Sequence, residues 1–290
     1  MKTSIITITY NRAHLIGETI RSVLNQTVGD FEHIIIDDGS NDNTGEIVVA
    51  FNDPRIRYFK YPKSGKRSFL RNEGFRKAKG EYVAVLDSDD IWTEDKLEKI
   101  MAIFEQKPKT DFVFHNVSFF GNTGFNGSFY NLKTGFIKLL DPLLSNAILP
   151  FPVFTIRKNA LDKIGLLDED MIDGQHDFYL RAAANLNAYY LDATLVKMRK
   201  HGQNISARND MSHYLDYLKA LEKLQTDGKI SHKKNKILKS RICNKMAFLY
   251  KQEQSFLFAK KLYRESFRSH YANIHGLKSI VNYLNLRLTH

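Results

Sequence analysis

The chain of 290 residues carries three carboxylates within four positions, Asp87, Asp89 and Asp90, directly after the apolar run 82–86. Carboxylates this close repel one another unless a cation lies among them. Oxygen ligands favour Mg²⁺ or Mn²⁺, which keep positions open for the phosphate oxygens of a substrate. The cluster therefore predicts a divalent-metal site that binds a diphosphate. An alternative interpretation is an acidic cluster before a helix that has Thr93 as its N-cap.

Other polar side chains follow predicted strands in the same way. Asn11 comes after the first strand, and Asp37 and Asp38 come after the second. Four short apolar runs end in such polar loops, at residues 5–9, 33–36, 56–61 and 82–86. We therefore expect these side chains to meet at the carboxyl ends of neighbouring strands, where open α/β sheets bind their ligands.

Segments with helical periodicity lie between these strands. Apolar residues recur at helical spacing at Ile16, Ile20, Val23 and Leu24, and again at Leu97, Ile100, Met101 and Phe104. Strand and helix alternate along the first hundred residues, which predicts βαβ units and a largely parallel sheet. The expected fold class is α/β.

The charge is distributed unevenly along the chain. The whole sequence has 43 Lys and Arg against 32 Asp and Glu, a net charge of +11. Residues 229–290 alone hold fourteen Lys or Arg and two Glu, so the preceding part is almost neutral. This change in composition predicts a boundary near residues 205–230 and a basic C-terminal extension.

Several classes of protein are excluded by what the sequence lacks. A single cysteine, Cys243, rules out a disulfide framework and a multi-cysteine zinc site. There is no Gly-x-Gly-x-x-Gly or Walker A loop. No apolar run reaches the ~18 residues of a membrane span, and residues 4–9 indicate a first strand rather than a signal peptide. We expect a cytoplasmic protein.

Six motifs in order resemble the nucleotide-binding half of the family 2 glycosyltransferases of the GT-A fold, as found in bacterial polysaccharide and O-antigen synthesis. They are residues 4–12 (SIITITYNR), 22–27 (SVLNQT), 36–42 (IDDGSND), 71–74 (RNEG), 78–82 (AKGEY) and 86–90 (LDSDD). The resemblance implies a Rossmann-like, mostly parallel sheet flanked by helices, with a C-terminal helical extension. It divides the chain into a nucleotide-sugar-binding half (1–110), an acceptor-binding half (111–210) and a basic helical extension (211–290).

The function implied by the resemblance is metal-dependent, inverting transfer of a sugar from a UDP-sugar to a hydroxyl of a glycan or lipid-linked acceptor, with a β-linkage from an α-donor. The metal is Mn²⁺ or Mg²⁺. By position, Asp38 accepts a hydrogen bond from the base, and Arg71 closes over the nucleotide. The nucleotide-sugar residues implied in this way are Thr9, Asn11, Asp38, Arg71, Asp87, Asp90 and Arg199, and the metal ligands are Asp87, Asp89 and His201.

The motif that supplies the catalytic base departs from the family pattern. Residues 178–181 (FYLR) resemble the run that follows the acidic motif, and this alignment puts Gln175 where the family has its base. An amide cannot take a proton from a hydroxyl. Asp177 is the nearest carboxylate and is assigned the role, with Asp173 as the alternative. Two other interpretations stay open: Asp177 only caps a helix, or the chain is an inactive sugar-nucleotide-binding or scaffolding relative.

The basic extension predicts at least two amphipathic helices. Their apolar faces either pack on the protein or leave a basic surface on an anionic bilayer, where a lipid-linked acceptor would be found. The second interpretation implies a peripheral position at the inner face of the cytoplasmic membrane. A nucleic-acid-binding function is not expected, because the acidic edge of the main domain would repel phosphate and no recognition motif occurs.

Overall fold

The chain folds as an α/β protein in which one sheet carries the candidate site. The computed structural model describes residues 2–121, 129–145, 151–171, 173–200, 212–269, 279 and 281–283. The chain divides into two compact units, Met1–Asn204 and Ile205–His290. The first unit contains the sheet.

Nine strands lie in the described part of the first unit. They are β1 (Thr3–Thr9), β2 (Phe31–Asp37), β3 (Ile56–Lys60), β4 (Tyr82–Val85), β5 (Ile91–Trp92), β6 (Phe112–Gly121), β7 (Gly135–Ile137), β8 (Phe154–Arg157) and β9 (Ala188–Lys200). The helices of this unit are α1 (Ile16–Leu24), α2 (Thr44–Ala50), α3 (Arg67–Lys77), α4 (Lys96–Gln106), α5 (Leu140–Leu144), α6 (Lys158–Ile164) and α7 (Gln175–Asn185), with a 3₁₀ turn at Phe151–Val153.

The sheet has the order β3-β2-β1-β4-β8-β6-β9-β5, with β7 on β9. The first four strands are parallel to one another, as the alternating pattern predicts. The second half is different: β8 enters antiparallel between β4 and β6, and the short β5 and β7 pair antiparallel with β9. The parallel half therefore carries the βαβ units, and the mixed half completes the sheet.

The apolar periodicities place their residues in the core. Ile16 and Ile20 of α1 are fully buried and pack with Ile35 of β2 and Val48 of α2. A second cluster joins Ile100, Met101 and Phe104 of α4 to residues of β4, β6 and β9, which are Tyr82, Val113, Tyr189 and Leu195. These contacts hold the helices against the strands whose ends carry the polar loops.

The predicted N-cap of α4 is wrong by two residues. The helix begins at Lys96 with Asp95 in the capping position, and the Thr93 hydroxyl donates to Asp95 Oδ1 at 2.8 Å. Strand β5 lies between Asp90 and this helix. The acidic cluster therefore does not cap α4, and the alternative interpretation of Asp87–Asp90 as a capping cluster does not hold.

The second unit is helical in its described part. It contains α8 (Ser212–Thr226), α9 (His232–Gln252) and α10 (Phe256–Ser269). The Ser231 side chain caps α9 by accepting from the N–H of Lys234. Ala247 of α9 packs with Ala259 and Tyr263 of α10. No helix within the described ranges is both long enough and apolar enough to cross a membrane.

Candidate functional site

The loop after β1 is joined to the loop after β2 through Asn11. Its backbone N–H donates to Ser40 Oγ at 2.8 Å, and its side-chain oxygen accepts from the N–H of Asn41 at 2.9 Å. Asn11 has a φ of +49°, a left-handed conformation in which Asn is enriched among non-glycine residues. Asn11 therefore fixes the two strand-end loops against each other.

The two aspartates after β2 have different environments. Asp37 is buried, accepts from the N–H of Ser40 at 2.8 Å and accepts from the Tyr58 hydroxyl. Asp38 turns toward the loop before α3. Its Oδ1 accepts from the N–H and the hydroxyl of Ser64, both at 2.7 Å, and its Oδ2 accepts from the N–H of Gly65 at 2.9 Å and from Lys63 Nζ at 2.8 Å.

These contacts set the charge of Asp38. Burial alone would raise its pKa, but the hydrogen bonds from Lys63, Ser64 and Gly65 outweigh burial and hold the pKa below its usual value. Asp38 is therefore an anion at neutral pH, with all its oxygen lone pairs directed at protein donors.

Two neighbouring residues present groups suited to a ligand. The Thr9 hydroxyl is buried and has no hydrogen-bond partner among the described residues. The backbone carbonyl of Thr9 accepts from the N–H of Asp38 at 2.9 Å, so the Thr9 backbone lies beside the Asp38 turn. The adjacent Tyr10 ring is 39% exposed. A buried hydroxyl without a partner and a partly exposed aromatic ring are groups that a ligand at this edge would contact.

Two carboxyls of the acidic cluster after β4 have raised pKa values. Burial raises the pKa of Asp87 to about 6; Arg71 opposes this shift, and the charges of Asp89 and Asp173 add to it. Burial, together with the charges of Asp87 and Asp89, raises the pKa of Asp90 well above its usual value. The positive charge of Arg71 and Arg199 does not fully offset the burial and mutual repulsion of these carboxyls.

Arg199 at the end of β9 is bound to this cluster. Its backbone N–H donates to Asp90 Oδ1 at 2.9 Å, and its Nε donates to the carbonyl of Asp89 at 3.1 Å. Its guanidinium also donates to Glu18 at 2.6 Å and lies over the ring of Phe120. The structure therefore brings Arg199 to the acidic cluster, where it anchors the end of β9.

Arg71 joins the acidic cluster to the segment before α7. It is buried on α3, it forms an ion pair with Asp173, and its Nη2 lies 3.7 Å from Asp87 Oδ1. Arg67, one turn earlier, lies 3.3 Å from Asp173. Burial would raise the pKa of Asp173, but Arg71 and Arg67 outweigh it and lower the pKa. Asp173 therefore stays ionised next to Asp87.

Asp177 lies in a different network. It is buried on α7 and forms an ion pair with Arg181 at 2.7 Å, one turn further along the helix. Arg181 also donates to the carbonyls of Ile164, Gly165 and Leu166 at the end of α6. The Asp177–Arg181 pair thus ties α7 to the end of α6. Asp173, the alternative base named from the sequence, lies among the groups around Arg71 and Asp87.

The segment between α6 and α7 is held by α3 as well. Asn72 donates to the carbonyl of Leu167 at 2.9 Å and to Glu169 at 2.8 Å, and its side-chain oxygen accepts from the N–H of Leu167 at 2.9 Å. Helix α7 then begins at Gln175, after Gly174 with a φ of +65°. One turn of α3 therefore positions both the acidic cluster and the approach to α7.

The metal ligands named from the sequence are only partly described. Asp87 and Asp89 lie on the loop after β4, whereas His201 lies outside the described residues. Within the described ranges, no three His, Cys, Asp or Glu side chains form a group that could hold a metal. The oxygen donors of Asp87 and Asp89 fit a hard cation of the Mg²⁺ type, which needs one or two carboxylates and takes other ligands from water and phosphate.

Sequence reasoning missed three residues around this edge: Tyr10, Lys63 and Arg67. Arg67 could have been found, because it lies four residues before Arg71 and so on the same helical face. Tyr10 directly precedes Asn11 within a quoted motif. No sequence signal connects Lys63 with Asp38, because the contact depends on how the loop before α3 folds back.

Comparison with known proteins places this site in a family. The family model "Glycosyl transferase family 2" matches residues 4–165. The glycosyltransferase GlyG of Streptococcus pneumoniae is 27% identical over 261 residues, which are 83% of this chain and 85% of GlyG. The Escherichia coli protein WfgD, named a UDP-Glc:alpha-D-GlcNAc-diphosphoundecaprenol beta-1,3-glucosyltransferase, is 36% identical over 43% of this chain and 49% of WfgD. An uncharacterised glycosyltransferase of Rickettsia felis is 41% identical, but the match spans 41% of this chain and 19% of that protein.

Solved structures share the fold at low identity. TarS 1-349 of S. aureus, in complex with UDP-GlcNAc, superposes with a TM-score of 0.75 at 20% identity and covers 99% of this chain and 90% of that chain. The mannosyltransferase PcManGT of Pyrobaculum calidifontis, in complex with GDP-Man and Mn2+, has a TM-score of 0.61 at 17% identity, with coverage of 99% and 80%. The expected GT-A fold is thereby confirmed. Because the family model matches more than half of the sequence, the chain belongs to glycosyl transferase family 2.

Proposed function

We propose that the chain transfers a sugar from a UDP-sugar to a hydroxyl of a glycan or lipid-linked acceptor, with inversion at the anomeric carbon. The observation that carries this proposal is the meeting of Asp87, Arg71 and Asp173 beside the strand-end loops of a family 2 fold. The names of TarS in complex with UDP-GlcNAc and of WfgD with UDP-Glc support uridine as the nucleoside.

The donor side has a group for each part of the nucleotide. Asp38 is an anionic acceptor that suits the ring N–H of uracil, and the Thr9 hydroxyl supplies a further polar contact. Asn11 fixes the loop after β1 against the loop that carries Asp38. Arg71 and Arg199 supply positive charge next to the acidic cluster, where the diphosphate would lie.

The metal proposal rests on the donor set. Asp87 and Asp89 would hold Mn²⁺ or Mg²⁺, with His201 as a further ligand, and Asp90 would face the donor sugar. When bound, the cation supplies positive charge that stabilises the β-phosphate as it leaves. The raised pKa of Asp87 supports this assignment, because positive charge would relieve the repulsion that causes part of the shift.

For the base we favour Asp173 over Asp177. The acceptor hydroxyl attacks the anomeric carbon, the bond from that carbon to the UDP oxygen breaks, and the proton passes to a carboxylate. Asp173 lies next to the acidic cluster, where Arg71 and Arg67 keep it ionised, whereas the partner of Asp177 is Arg181, which binds the carbonyls at the end of α6. A single displacement of this kind turns an α-donor into a β-linkage.

An inactive sugar-nucleotide-binding relative is the second candidate, and Gln175 at the expected base position favours it. Turnover separates the two. Purified full-length chain with Mn²⁺ and a set of UDP-sugars and glycan acceptors should release UDP faster with an acceptor present than without one. UDP binding without acceptor-dependent release under any combination would favour the inactive relative.

We also propose that the basic extension holds the chain on an anionic membrane surface. Leu257 and Phe258 lie in the first turn of α10 with 79% and 58% of their surface exposed, and the exposed Lys261, Arg264 and Arg268 follow at helical spacing. Exposed apolar residues beside a basic stripe fit a bilayer that carries negative charge.

Vesicle binding tests this part separately. The full chain should sediment with vesicles of phosphatidylglycerol and phosphatidylcholine and less with phosphatidylcholine alone, and salt should weaken binding. Leu257→Ser with Phe258→Ser should lower binding severalfold. The matched control is Val49→Ser, which removes an apolar residue that is 67% exposed on α2 and should change nothing. Equal binding by the double variant would overturn the assignment.

A further inference from the structure

Asp38, the carboxylate proposed to bind the base, already accepts as many hydrogen bonds from the protein as it has acceptor positions. Asp38 accepts four hydrogen bonds: two from Ser64, one from Gly65 and one from the Lys63 ammonium. A carboxylate offers about four lone-pair positions in all. A uracil N–H can therefore reach Asp38 only after one of these donors leaves.

Two of the four donors are backbone N–H groups, those of Ser64 and Gly65, and a third is the Ser64 hydroxyl on the same turn. Gly39, with a φ of +77°, packs so closely on the loop before α3 that a Cβ there would lie 2.8 Å from the N of Lys63. The N–H of Tyr61 also donates to the carbonyl of Asp37 at 2.8 Å. The two backbone contacts belong to this locked turn, and losing either would require the turn to open. The Ser64 hydroxyl is held in the same turn, because it also accepts from the N–H of Lys66 at 3.1 Å.

The Lys63 side chain is the donor that can leave. Its Nζ lies 2.8 Å from Asp38 and 3.1 Å from the centroid of the Tyr10 ring, while 47% of the side chain is exposed. A half-exposed ion pair adds little stability, and the four-carbon stem of Lys turns freely into water. At this distance, no ring can stack on the face of Tyr10 that the ammonium covers.

We propose that the Lys63 side chain is an internal competitor of the nucleotide base. Its ammonium occupies the Tyr10 ring face and one acceptor position of Asp38, and donor binding moves it into solvent. One acceptor position is freed, which matches the single ring N–H of uracil. This inference rests on the proposed function, because it takes a base to be the ligand of Asp38.

Uridine is the probe that isolates this competition. The Lys63 charge also attracts a diphosphate at long range, so its removal has two opposing effects on UDP. Uridine carries no charge, so its Kd responds only to the competition with the Lys63 ammonium. In the full chain with Lys63→Met, we expect the Kd of uridine, measured by calorimetric competition against UDP, to fall by about three- to tenfold.

Two further variants control the measurement. Lys63→Arg keeps both the ion pair and the ring contact and should leave the Kd of uridine within about twofold of wild type. Lys66→Met removes an exposed positive charge from the same loop, and it should weaken UDP while leaving uridine unchanged. An unchanged or higher Kd of uridine in Lys63→Met overturns the inference.

The experiment keeps this inference separate from the proposed function. If wild type binds UDP but Lys63→Met does not bind uridine more tightly, only the role of Lys63 fails. If wild type binds no uridine nucleotide, the proposed function fails and the competition fails with it. A gain that appears equally in Lys66→Met would show an effect of net charge and would also overturn the role of Lys63.

Discussion

Two regions supply the proposed chemistry, and they are held in different ways. The loops after β1, β2 and β4 follow strands in backbone ladders that continue into the loops: the N–H of Asp38 donates to the carbonyl of Thr9, and the N–H of Leu86 donates to that of Ile6, both at 2.9 Å. Around the segment from α6 into α7, the contacts that reach α3 come from side chains, among them Asn72, Arg71 and Arg67.

This difference predicts how each region responds to substitution. A backbone ladder does not depend on any one side chain, so a change in a strand-end loop should alter chemistry and leave the fold intact. A segment joined by ion pairs depends on both partners, and removing one leaves a buried charge without its counter-charge. Substitutions near α7 should therefore separate into effects on turnover and effects on stability.

The largest effect is expected in the loops after β1, β2 and β4, which form the ladder-held region. Asp89→Ala should reduce acceptor-dependent UDP release to background and weaken metal-dependent UDP binding, because Asp87 alone cannot hold both a cation and the β-phosphate. The melting temperature should change little. Full activity in EDTA would contradict both the metal proposal and this prediction.

The second-largest effect tests the segment from α6 into α7, which is the side-chain-held region. Asp173→Asn keeps the shape of the carboxylate but cannot take a proton, so kcat should fall by on the order of 10²–10⁴ with little change in the Kd of UDP. Asp173→Glu, which keeps a carboxylate, should recover part of the rate. A rate loss confined to Asp177→Asn would return the base to Asp177.

The ladder-held region was largely predictable from sequence. Period-two and period-3.6 patterns predict β1, β2, α1 and α4, and parallel strands then bring Asn11, Asp38 and Asp87 to one edge without knowledge of any side-chain contact. The insertion of β8 between β4 and β6 was not predicted. A four-residue strand from a distant part of the chain carries no signal of its neighbours.

The side-chain-held region was not predictable in the same way. Asp173 meets Arg71 across 102 positions of sequence, and only the fold shows that this pair forms while Asp177 turns to Arg181. The sequence assigns the base to Asp177, the carboxylate nearer to the motif, and that assignment stays a prediction. Spacing along a chain ranks candidates within a segment but does not show which side chain faces the site.

A smaller effect tests whether Asp177 on α7 has a structural role. Asp177→Asn leaves the mostly buried Arg181 guanidinium without its counter-charge, so the free energy of unfolding should fall by about 2–4 kcal/mol. Denaturant titration measures this loss. Asp162→Asn, at an exposed position of α6, is the control and should change stability by less than about 0.5 kcal/mol. Equal stability of the two variants would contradict the structural role of Asp177.

The smallest effect concerns the ladder-held sheet itself and appears only in acid. His33 on β2 is fully buried, its Nε2 lies 2.9 Å from Thr7 Oγ1, and burial lowers its pKa from 6.5 to about 3. Between these values the unfolded chain binds a proton that the folded chain does not, so stability falls as the pH drops from 6.5 toward 3. The loss from one such group is at most ~1.4 kcal/mol per pH unit.

His33→Gln should therefore flatten the acid limb of the stability curve without removing it, because burial also lowers the pKa of His115 on β6 well below its usual value. Urea titrations at pH 7 and pH 4.5 measure the difference. If His33→Gln loses stability between pH 7 and 4.5 as steeply as wild type, His33 is protonated in the folded sheet. The hydrogen-bonded sheet around β2 would then have to contain a buried imidazolium and water that solvates it.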